Sequence, residues 1–337
     1  MLVSVSISAY NEENYLPAIF ESLVHQTYPH KQIEIVLINA MSTDQTRSLM
    51  NEFQEKYQHE FYAIKIFDNP KKTLNTGLNL GFKHSDGDCY LKIDAHSHIP
   101  EDFIENNVDV IERGERVCGG RRPTIVETND ELAKTLHIVE ESALGSSIAN
   151  YRKGDESRYV DSVFQGMYHK EVIEKVGYFD EKLVRTEDNE FHYRIRKNGF
   201  KIWYDTSIES FQYIRPTYSK MLKQKYGNGY WIGLTSHVCR ECLSLFHFVP
   251  GIFVSTLLAT ILVAGISTLP FLLLVSIYLL AIIGLSIFEI STHPFHNTRL
   301  LIPFMMISVH MSYGIGTIRG WIEGFWWKKT YFENNEQ

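Results

Sequence analysis

The chain has 337 residues, 44% of them hydrophobic and 22% charged, with a net charge of -7; these ordinary globular proportions exclude wholesale disorder and the collagen-like and low-complexity classes. The length suits about two domains of ~150 residues each, and the negative charge, with no dense stripe of Lys and Arg, argues against nucleic acid as a partner. Four cysteines, Cys89, Cys118, Cys239 and Cys242, are too few for a disulfide framework and suit a reducing compartment.

The first hundred residues alternate between strand and helix periods, the sign of a βαβ sheet. Residues 2–7 read as a strand, and Asn11 is placed to cap a helix whose Leu16, Ile19, Phe20 and Leu23 share one face. Residues 33–38 form the second strand. Thr43 or Asp44 then caps a helix carrying Leu49, Met50 and Phe53 inward, and residues 62–67 form a third strand. A helix over 74–83 leads through the turn Asp86-Gly87-Asp88 into a strand over 89–93 that ends at Asp94. Beyond residue 100 the expected elements are a helix from Pro100 to about Ile111, a short strand near Val117-Cys118, a loop-rich stretch over 140–165, and a helix within 180–197 whose Phe191 and Ile195 share a face. Residues 217–231 are aromatic and basic (Lys220, Lys223, Lys225, Tyr226, Tyr230, Trp231), as expected of a segment on the cytoplasmic membrane surface.

Residues 242–288 hold no Asp, Glu, Lys or Arg, 47 residues in all, against the roughly 20 that one membrane-spanning helix needs. Two passes fit, at about 245–267 and 270–288. A third uncharged run, 300–318, contains His310, Gly314 and Gly316 and spans, tilts or re-enters. Met1 leads directly into a strand with no basic flank or cleavage signature. The expected layout is a cytoplasmic domain over 1–230 in two halves, 1–100 and 101–215, with an interfacial segment (216–240). A membrane domain over 242–320 and a polar tail over 321–337 follow. Three passes put Lys328 and Lys329 outside, against the positive-inside tendency, whereas a re-entrant third segment keeps them inside.

Three polar clusters fall at C-terminal strand ends, at 9–12, 39–44 and 94–98, the edge where open α/β sheets bind ligands. No G-x-G-x-x-G follows the first strand, where Ser8-Ala9-Tyr10-Asn11-Glu12 stands, so a dinucleotide oxidoreductase is disfavoured. Asp94-Ala95-His96 offers a carboxylate and an imidazole to one divalent ion, a pair that suits Mn2+ and tolerates Mg2+ when a diphosphate supplies further oxygens. As a bare tripeptide it reads equally as a strand-end carboxylate beside a surface His. Glu187-Asp188 opens a helix; it either complements the helix dipole or supplies a general base. Gly119-Gly120-Arg121-Arg122-Pro123 is a basic turn or a flexible cradle for a diphosphate. Cys239-x-x-Cys242 is given no role, and His310, Tyr313, Gly314, Gly316 and Gly320 are read as close helix packing.

In order, Ser8-Ala9-Tyr10-Asn11-Glu12-Glu13 looks like a "P-x-Y-N-E-E" turn and Ser42-Thr43-Asp44 like the end of "D-D-G-S-T-D". Asn75-x-Gly77 through Gly87-Asp88 to Asp94-Ala95-His96 resembles the approach to a "D-x-D", and residues 176–181 with Thr186-Glu187-Asp188 look like "G-x-F-D-E" and "E-D". Over roughly residues 1 to 230 the chain thus resembles the family 2 glycosyltransferases, inverting nucleotide-sugar enzymes. The subgroup most like it is the succinoglycan-type exopolysaccharide transferases, which use D-A-H and carry H-x-x-Y-G-x-G in a membrane tail, here residues 310–316.

The resemblance implies an α/β fold of the GT-A type, Rossmann-like, with a nucleotide-binding half (1–100) and an acceptor half (101–215), followed by C-terminal transmembrane helices. It implies a divalent metal, Mn2+ or Mg2+, on Asp94 and His96. Asp188 would be the catalytic base with Glu187 beside it, and the nucleotide-sugar donor would lie on Ala9, Tyr10, Asn11, Glu12, Asn39, Ser42, Asp44, Asn75, Asp94, Ala95 and Arg121. The implied acceptor is a lipid-linked, polyprenyl-diphosphate saccharide at the inner leaflet of the plasma membrane, in exopolysaccharide, capsule or other surface-glycan synthesis.

Two departures matter. The acidic pair that contacts base and ribose is replaced by Asn39-Ala40, which leaves the nucleotide open, although an amide still offers an acceptor and a donor. The R-W of the processive Q-x-x-R-W signature is absent, since residues 224–231 read QKYGNGYW, so single sugar addition is the better reading. The rivals are a polyprenyl-phosphate sugar transferase and, from another class, a non-catalytic membrane scaffold.

Overall fold

A computed structural model of the chain describes residues 1–126, 129–142, 145, 155–213 and 217–333. They gather into two compact units, one of residues 1–125 with 149–213 and one of 126–148 with 214–337. The expected domain boundary near 230 thus falls instead at Tyr213, and a second stretch, 126–148, joins the apolar C-terminal part. Part of the loop-rich stretch expected at 140–165 (143–144 and 146–154) and the last four residues of the tail lie outside the described residues.

The first unit begins with β1 (Val3–Ala9), α1 (Leu16–Val24), β2 (Ile33–Asn39), α2 (Thr46–Tyr57), β3 (Ala63–Asp68), α3 (Leu74–Lys83) and β4 (Cys89–Asp94). β5 (Ser97–His98), α4 (Phe103–Glu112), β6 (Val117–Arg121) and β7 (Thr124–Ile125) follow. After α5 (Glu131–Glu141), which belongs to the other unit, come β8 (Arg158–Val160), β9 (Phe164–His169), α6 (Lys170–Val176), α7 (Glu187–Lys197), β10 (Ile202–Glu209) and β11 (Phe211–Tyr213). Eight strands form one mixed sheet in the order β3-β2-β1-β4-β9-β6-β10-β8, and β5-β11-β7 form a second. The first four are parallel, and β9 runs antiparallel to both β4 and β6. β1 and β2 are buried along almost their whole length: β2 is largely apolar, as a parallel strand covered on both faces tends to be, while β1 alternates apolar residues with the small Ser4, Ser6 and Ser8.

On one face, Leu16, Ile19, Leu23, Met50, Phe53, Phe103, Ile104 and Ile111 close over the sheet. α3 covers the other face at short range. A Cβ on Gly81 would lie 2.9 Å from the Ser6 hydroxyl, and one on Gly77 would collide with Ser8, so the helix sits on β1 only because both positions lack side chains. From its far side, Asn79 exchanges hydrogen bonds with the Phe179 backbone (2.8 and 2.9 Å), and Asn75 donates to the carbonyls of Asp180 (2.9 Å) and Leu183. These bonds fix the loop that delivers α7.

Three local expectations change. α1 begins at Leu16 with Pro17 in its first turn, and Asn11, at φ 54°, turns the chain instead of capping it. α2 begins at Thr46 without a side-chain cap, although Asp44 accepts from the Thr46 amide at 3.0 Å. Gly119 and Gly120 are not a flexible loop: they lie within β6, where a side chain on Gly120 would strike the backbone of Ile208 on β10.

The second unit holds α5, α8 (Tyr218–Thr235), α9 (Val249–Val263), α10 (Leu269–Thr292) and α11 (Ile302–Glu333). By length and composition, Leu245–Val263, Leu269–Thr292 and Asn297–Glu333 are each long and apolar enough to cross a membrane. Leu258, Leu262, Ile266, Leu272, Ile277 and Leu280 are exposed on α9, α10 and their connection, while Leu136 and Val139 of α5 pack with Met221, Ile282, Met305 and Met306.

The segment expected to ride on the membrane surface is α8, and it lies alongside α11 in the same direction. Ser312 bonds to the Leu222 carbonyl (2.9 Å), Arg319 to the Tyr226 hydroxyl (3.1 Å), and Tyr230 to Glu323 (2.6 Å). Gly316 and Gly320 meet the backbone of Tyr226 and Tyr230, and Gly314 meets Pro250. The expected third segment is only the first half of this 32-residue helix, which continues through most of the supposed polar tail.

Gly81→Val and Gly320→Val should each lower the melting temperature of the detergent-purified protein, since overpacking costs about 1–3 kcal/mol. Gly265→Ala, whose added methyl meets nothing within 4 Å, is the control. Wild-type melting of Gly320→Val would contradict the close approach of α8 and α11.

Candidate active site

The parallel register places Ala9, Asn39, Asp68 and Asp94 at neighbouring strand ends. The loops that follow β1 and β2 are laced together. The amides of Asn11, Glu12 and Glu13 donate to Ser42 Oγ (3.1 Å), Thr46 Oγ1 (2.8 Å) and Asp44 Oδ2 (3.2 Å), and Asn11 Oδ1 accepts from the Thr43 amide (2.9 Å). Tyr10 projects from this frame, 51% exposed, whereas the side chains of Ala9 and Ala95 are buried.

Asn39 is not free to read a base with both ends of its amide. Its Nδ2 donates to Asp68 Oδ1 (2.7 Å), and its Oδ1 accepts from the Ser42 amide (3.0 Å). The same bond brings in a residue that the motif reading passed over: Asp68, half exposed and also held by Arg47 (3.1 Å), restores a carboxylate beside the position where the family pair is missing.

A second cluster forms where β4 meets the first turn of α7. Lys92 Nζ donates to both oxygens of Asp188, at 2.8 and 2.9 Å. The lysine side chain is 3% exposed and the aspartate 26%, so the pair is buried on one side and open on the other. Burial works against the Lys92 charge, but Asp188, Asp94 and Glu187 outweigh it and raise its pKa. Burial likewise pushes Asp188 up, yet Lys92, His192 and the hydrogen bond from Lys92 leave it lowered. Glu187 is the opposite case. Burial, then repulsion from Asp188, raises it to about 8, and its Oε2 has no hydrogen-bond partner. His192 bridges Ser162 (2.8 Å) and Tyr168 (2.9 Å), and burial lowers its pKa to about 4 despite Asp188.

The donors at Asp94 and His96 fit a divalent ion. The Asp94 carboxylate makes no hydrogen bond or ion pair among the described residues, although it acts electrostatically on Lys92 and Glu187. His96 Nδ1 lies 3.4 Å from Glu12 Oε1, and its Nε2 is shared with the Gln212 amide at 3.0 Å. No group of three or more His, Cys, Asp or Glu side chains gathers around one point among the described residues. An oxygen and a nitrogen donor therefore suit an ion that completes its shell with diphosphate and water.

The structure does not bring every expected residue to this edge. Asn75 is 1% exposed and braces the α7 loop. Arg121 ends β6, beyond β9 from β4, with Nε 4.0 Å from Glu209, and Arg122 lies over the Phe164 ring at 4.3 Å. Lys92, Asp68 and Gln212 were not singled out from the sequence. Only Lys92 carried a signal, a cation within the otherwise apolar run Leu91-Lys92-Ile93.

The family model "Glycosyl transferase family 2" matches residues 4–177, and "Glycosyl transferase family group 2" matches 91–309. A Methanococcus voltae protein, dolichyl N-acetyl-alpha-D-glucosaminyl phosphate 3-beta-D-2,3-diacetamido-2,3-dideoxy-beta-D-glucuronosyltransferase, is 28% identical over 330 residues, covering 96% of this chain and 98% of its own. The succinoglycan biosynthesis protein ExoA of Rhizobium meliloti is 24% identical over 231 residues, 67% of each chain. Among solved structures, the mannosyltransferase PcManGT from Pyrobaculum calidifontis, in complex with GDP-Man and Mn2+, has a TM-score of 0.63 at 14% identity, covering 97% of this chain and 87% of its own. S. aureus TarS with UDP-GlcNAc has a TM-score of 0.52 at 17% identity, covering 94% and 91%. The solved structures support the fold, and the family match spans more than half the chain: the protein belongs to glycosyl transferase family 2.

Proposed function

We propose that this chain is an inverting transferase that moves one sugar from a nucleotide-sugar donor to a lipid-linked saccharide at the membrane, in cell-surface glycan synthesis. The observation that carries the reading is the partly open Asp188 carboxylate, held at the same sheet edge as Asp94 and His96. The Methanococcus voltae relative, named for transfer to dolichyl N-acetyl-alpha-D-glucosaminyl phosphate, supports a lipid-linked acceptor, and the succinoglycan relative supports polysaccharide synthesis. The exposed apolar helices support a membrane location, and in this reading the catalytic unit lies on its cytoplasmic side.

In this reading Tyr10, Asn11, Glu12, Ser42 and Asp44 frame the nucleotide. The Asp188 carboxylate accepts the proton of the acceptor hydroxyl as that oxygen bonds to the anomeric carbon. The bond from that carbon to the diphosphate oxygen breaks on the opposite face, and its electron pair leaves with the nucleoside diphosphate, so the configuration inverts. Asp94 and His96 would hold Mn2+ or Mg2+, which supplies positive charge to the leaving diphosphate. Glu187 keeps its proton near neutral pH and so leaves Asp188 as the anion of the pair.

The test is nucleoside-diphosphate release from UDP-, GDP- and dTDP-sugars by the full chain in detergent, with a lipid-linked saccharide acceptor, with and without Mn2+. One donor class should react, and only with metal. Asp94→Ala should abolish release, and Asp188→Asn should lower kcat about 10²–10⁴-fold, the usual contribution of a general base. Metal-independent turnover would remove the assignment of Asp94 and His96. Full activity of Asp188→Asn would favour a phosphate acceptor, which needs no base.

A stability measurement checks the Glu187 proton separately. A carboxyl raised to about 8 in the fold binds a proton that the unfolded chain has released, so stability falls as pH rises from the ordinary Glu value toward 8. Glu187→Gln should flatten the decline of melting temperature across that window. An unchanged slope would show that Glu187 is ionised in the fold.

A further inference from the structure

We propose that Lys92 is a positioning residue for sugar transfer: its buried ammonium, bonded to both oxygens of Asp188, holds that carboxylate in one orientation. The proposal rests on the reading of Asp188 as the base and adds to it a residue that touches neither donor nor acceptor.

The geometry argues for orientation. Bonds of 2.8 and 2.9 Å from one nitrogen to both carboxylate oxygens fix the plane of the group from its buried side. Each oxygen keeps another lone-pair direction for the side that is open to solvent. β4 sets this up through its two-residue period, since positions 92 and 94 share a face of the strand. One strand thereby directs a cation to the base and a carboxylate to the proposed metal. The charged and titratable groups around Asp188 come from three elements: Lys92 and Asp94 on β4, Glu187 and His192 on α7, and Tyr168 on β9. His192 is engaged by Ser162 and Tyr168, which leaves Lys92 as the cation that pairs with Asp188.

Stability alone is a poor account of such a lysine. Desolvating an ammonium cancels much of the attraction in a buried ion pair, and an apolar residue of similar volume often does as well. An apolar neighbour is already at hand, the Phe179 ring 5.7 Å from Nζ. A methionine would suit the core, but it would leave Asp188 with two acidic neighbours and no partner from β4.

The experiment measures kcat and donor KM for the full chain with Lys92→Met, Lys92→Arg, Asp188→Asn and the double variant Lys92→Met/Asp188→Asn. Calorimetric binding of UDP and GDP with Mn2+ is measured in parallel. Lys92→Met should lower kcat about 100-fold, within the range of a lost general base, with donor KM and nucleotide binding nearly unchanged. Lys92→Arg should recover most of the loss. In the Asp188→Asn background Lys92→Met should cost about twofold or less, because residues that act as a unit are not additive.

Wild-type kcat in Lys92→Met, or a loss confined to nucleotide binding, overturns the proposal while leaving the base reading intact if Asp188→Asn is inactive. Full activity of Asp188→Asn overturns both. Should Lys92→Met not fold, the arginine variant and the double variant, which removes both members of the ion pair, still decide the matter: wild-type-like kcat in Lys92→Arg supports the proposal, and a double variant far less active than Asp188→Asn excludes a role exerted through Asp188.

Discussion

Three carboxylates, Asp94, Glu187 and Asp188, all act electrostatically on Lys92 near the end of β4, and like charges near one another oppose each other's ionisation. The site depends on how that conflict is resolved. One carboxylate, Asp188, is neutralised by Lys92 from the strand beneath it. A second, Glu187, resolves it by retaining its proton. The third, Asp94, makes no hydrogen bond or ion pair among the described residues and is the one suited to a cation from outside the chain. Glu187 and Asp188 thus become different acid groups from similar side chains, and the difference comes from burial and neighbours rather than residue type.

That resolution requires α7 to start at a fixed height above β4, and α3 sets the height. Gly77 and Gly81 let α3 settle against Ser8 and Ser6 of β1, and Asn75 and Asn79 on its far side grip the backbone of the loop that runs into α7. A bulkier helix would lift that loop and draw Asp188 away from Lys92. Asn75 and Gly77, which in sequence look like part of a ligand-binding motif, thus serve the site through architecture. The direct contacts are left to the residues at the strand ends.

The parallel half of the sheet was legible in the sequence because its inner strands β1, β2 and β4 are largely buried and each helix is buried on one face, so burial periodicity follows the fold directly. The bounds of α3 were read to the residue. What could not be read depends on partners distant in sequence. Nothing local says that Asn39 is bonded to Asp68, 29 positions away, or that Lys92 reaches 96 positions to Asp188. Gly119 and Gly120 were taken for loop glycines for the same reason: the strand that forbids a side chain on Gly120 is β10, far along the chain. Composition alone also could not separate a segment lying on a membrane from one packed against another helix. α8 carries the basic and aromatic residues of the first and the glycines of the second.

Those glycines give the second unit its character. A helix that rests on a bilayer meets a fluid surface and has no need of backbone-level fit. α8 and α11 instead approach so closely that Gly316 and Gly320 admit no side chain against Tyr226 and Tyr230, and Tyr230 and Arg319 complete a hydrogen-bonded contact across the pair with Glu323 and Tyr226. α5 adds a polar anchor through Glu140, which pairs with the buried Lys225 of α8 at 3.2 Å. Removing either helix would expose both carbonyl-lined glycine faces and a buried charge. The apolar part of the chain is therefore a folded body with its own core and not a loose tether.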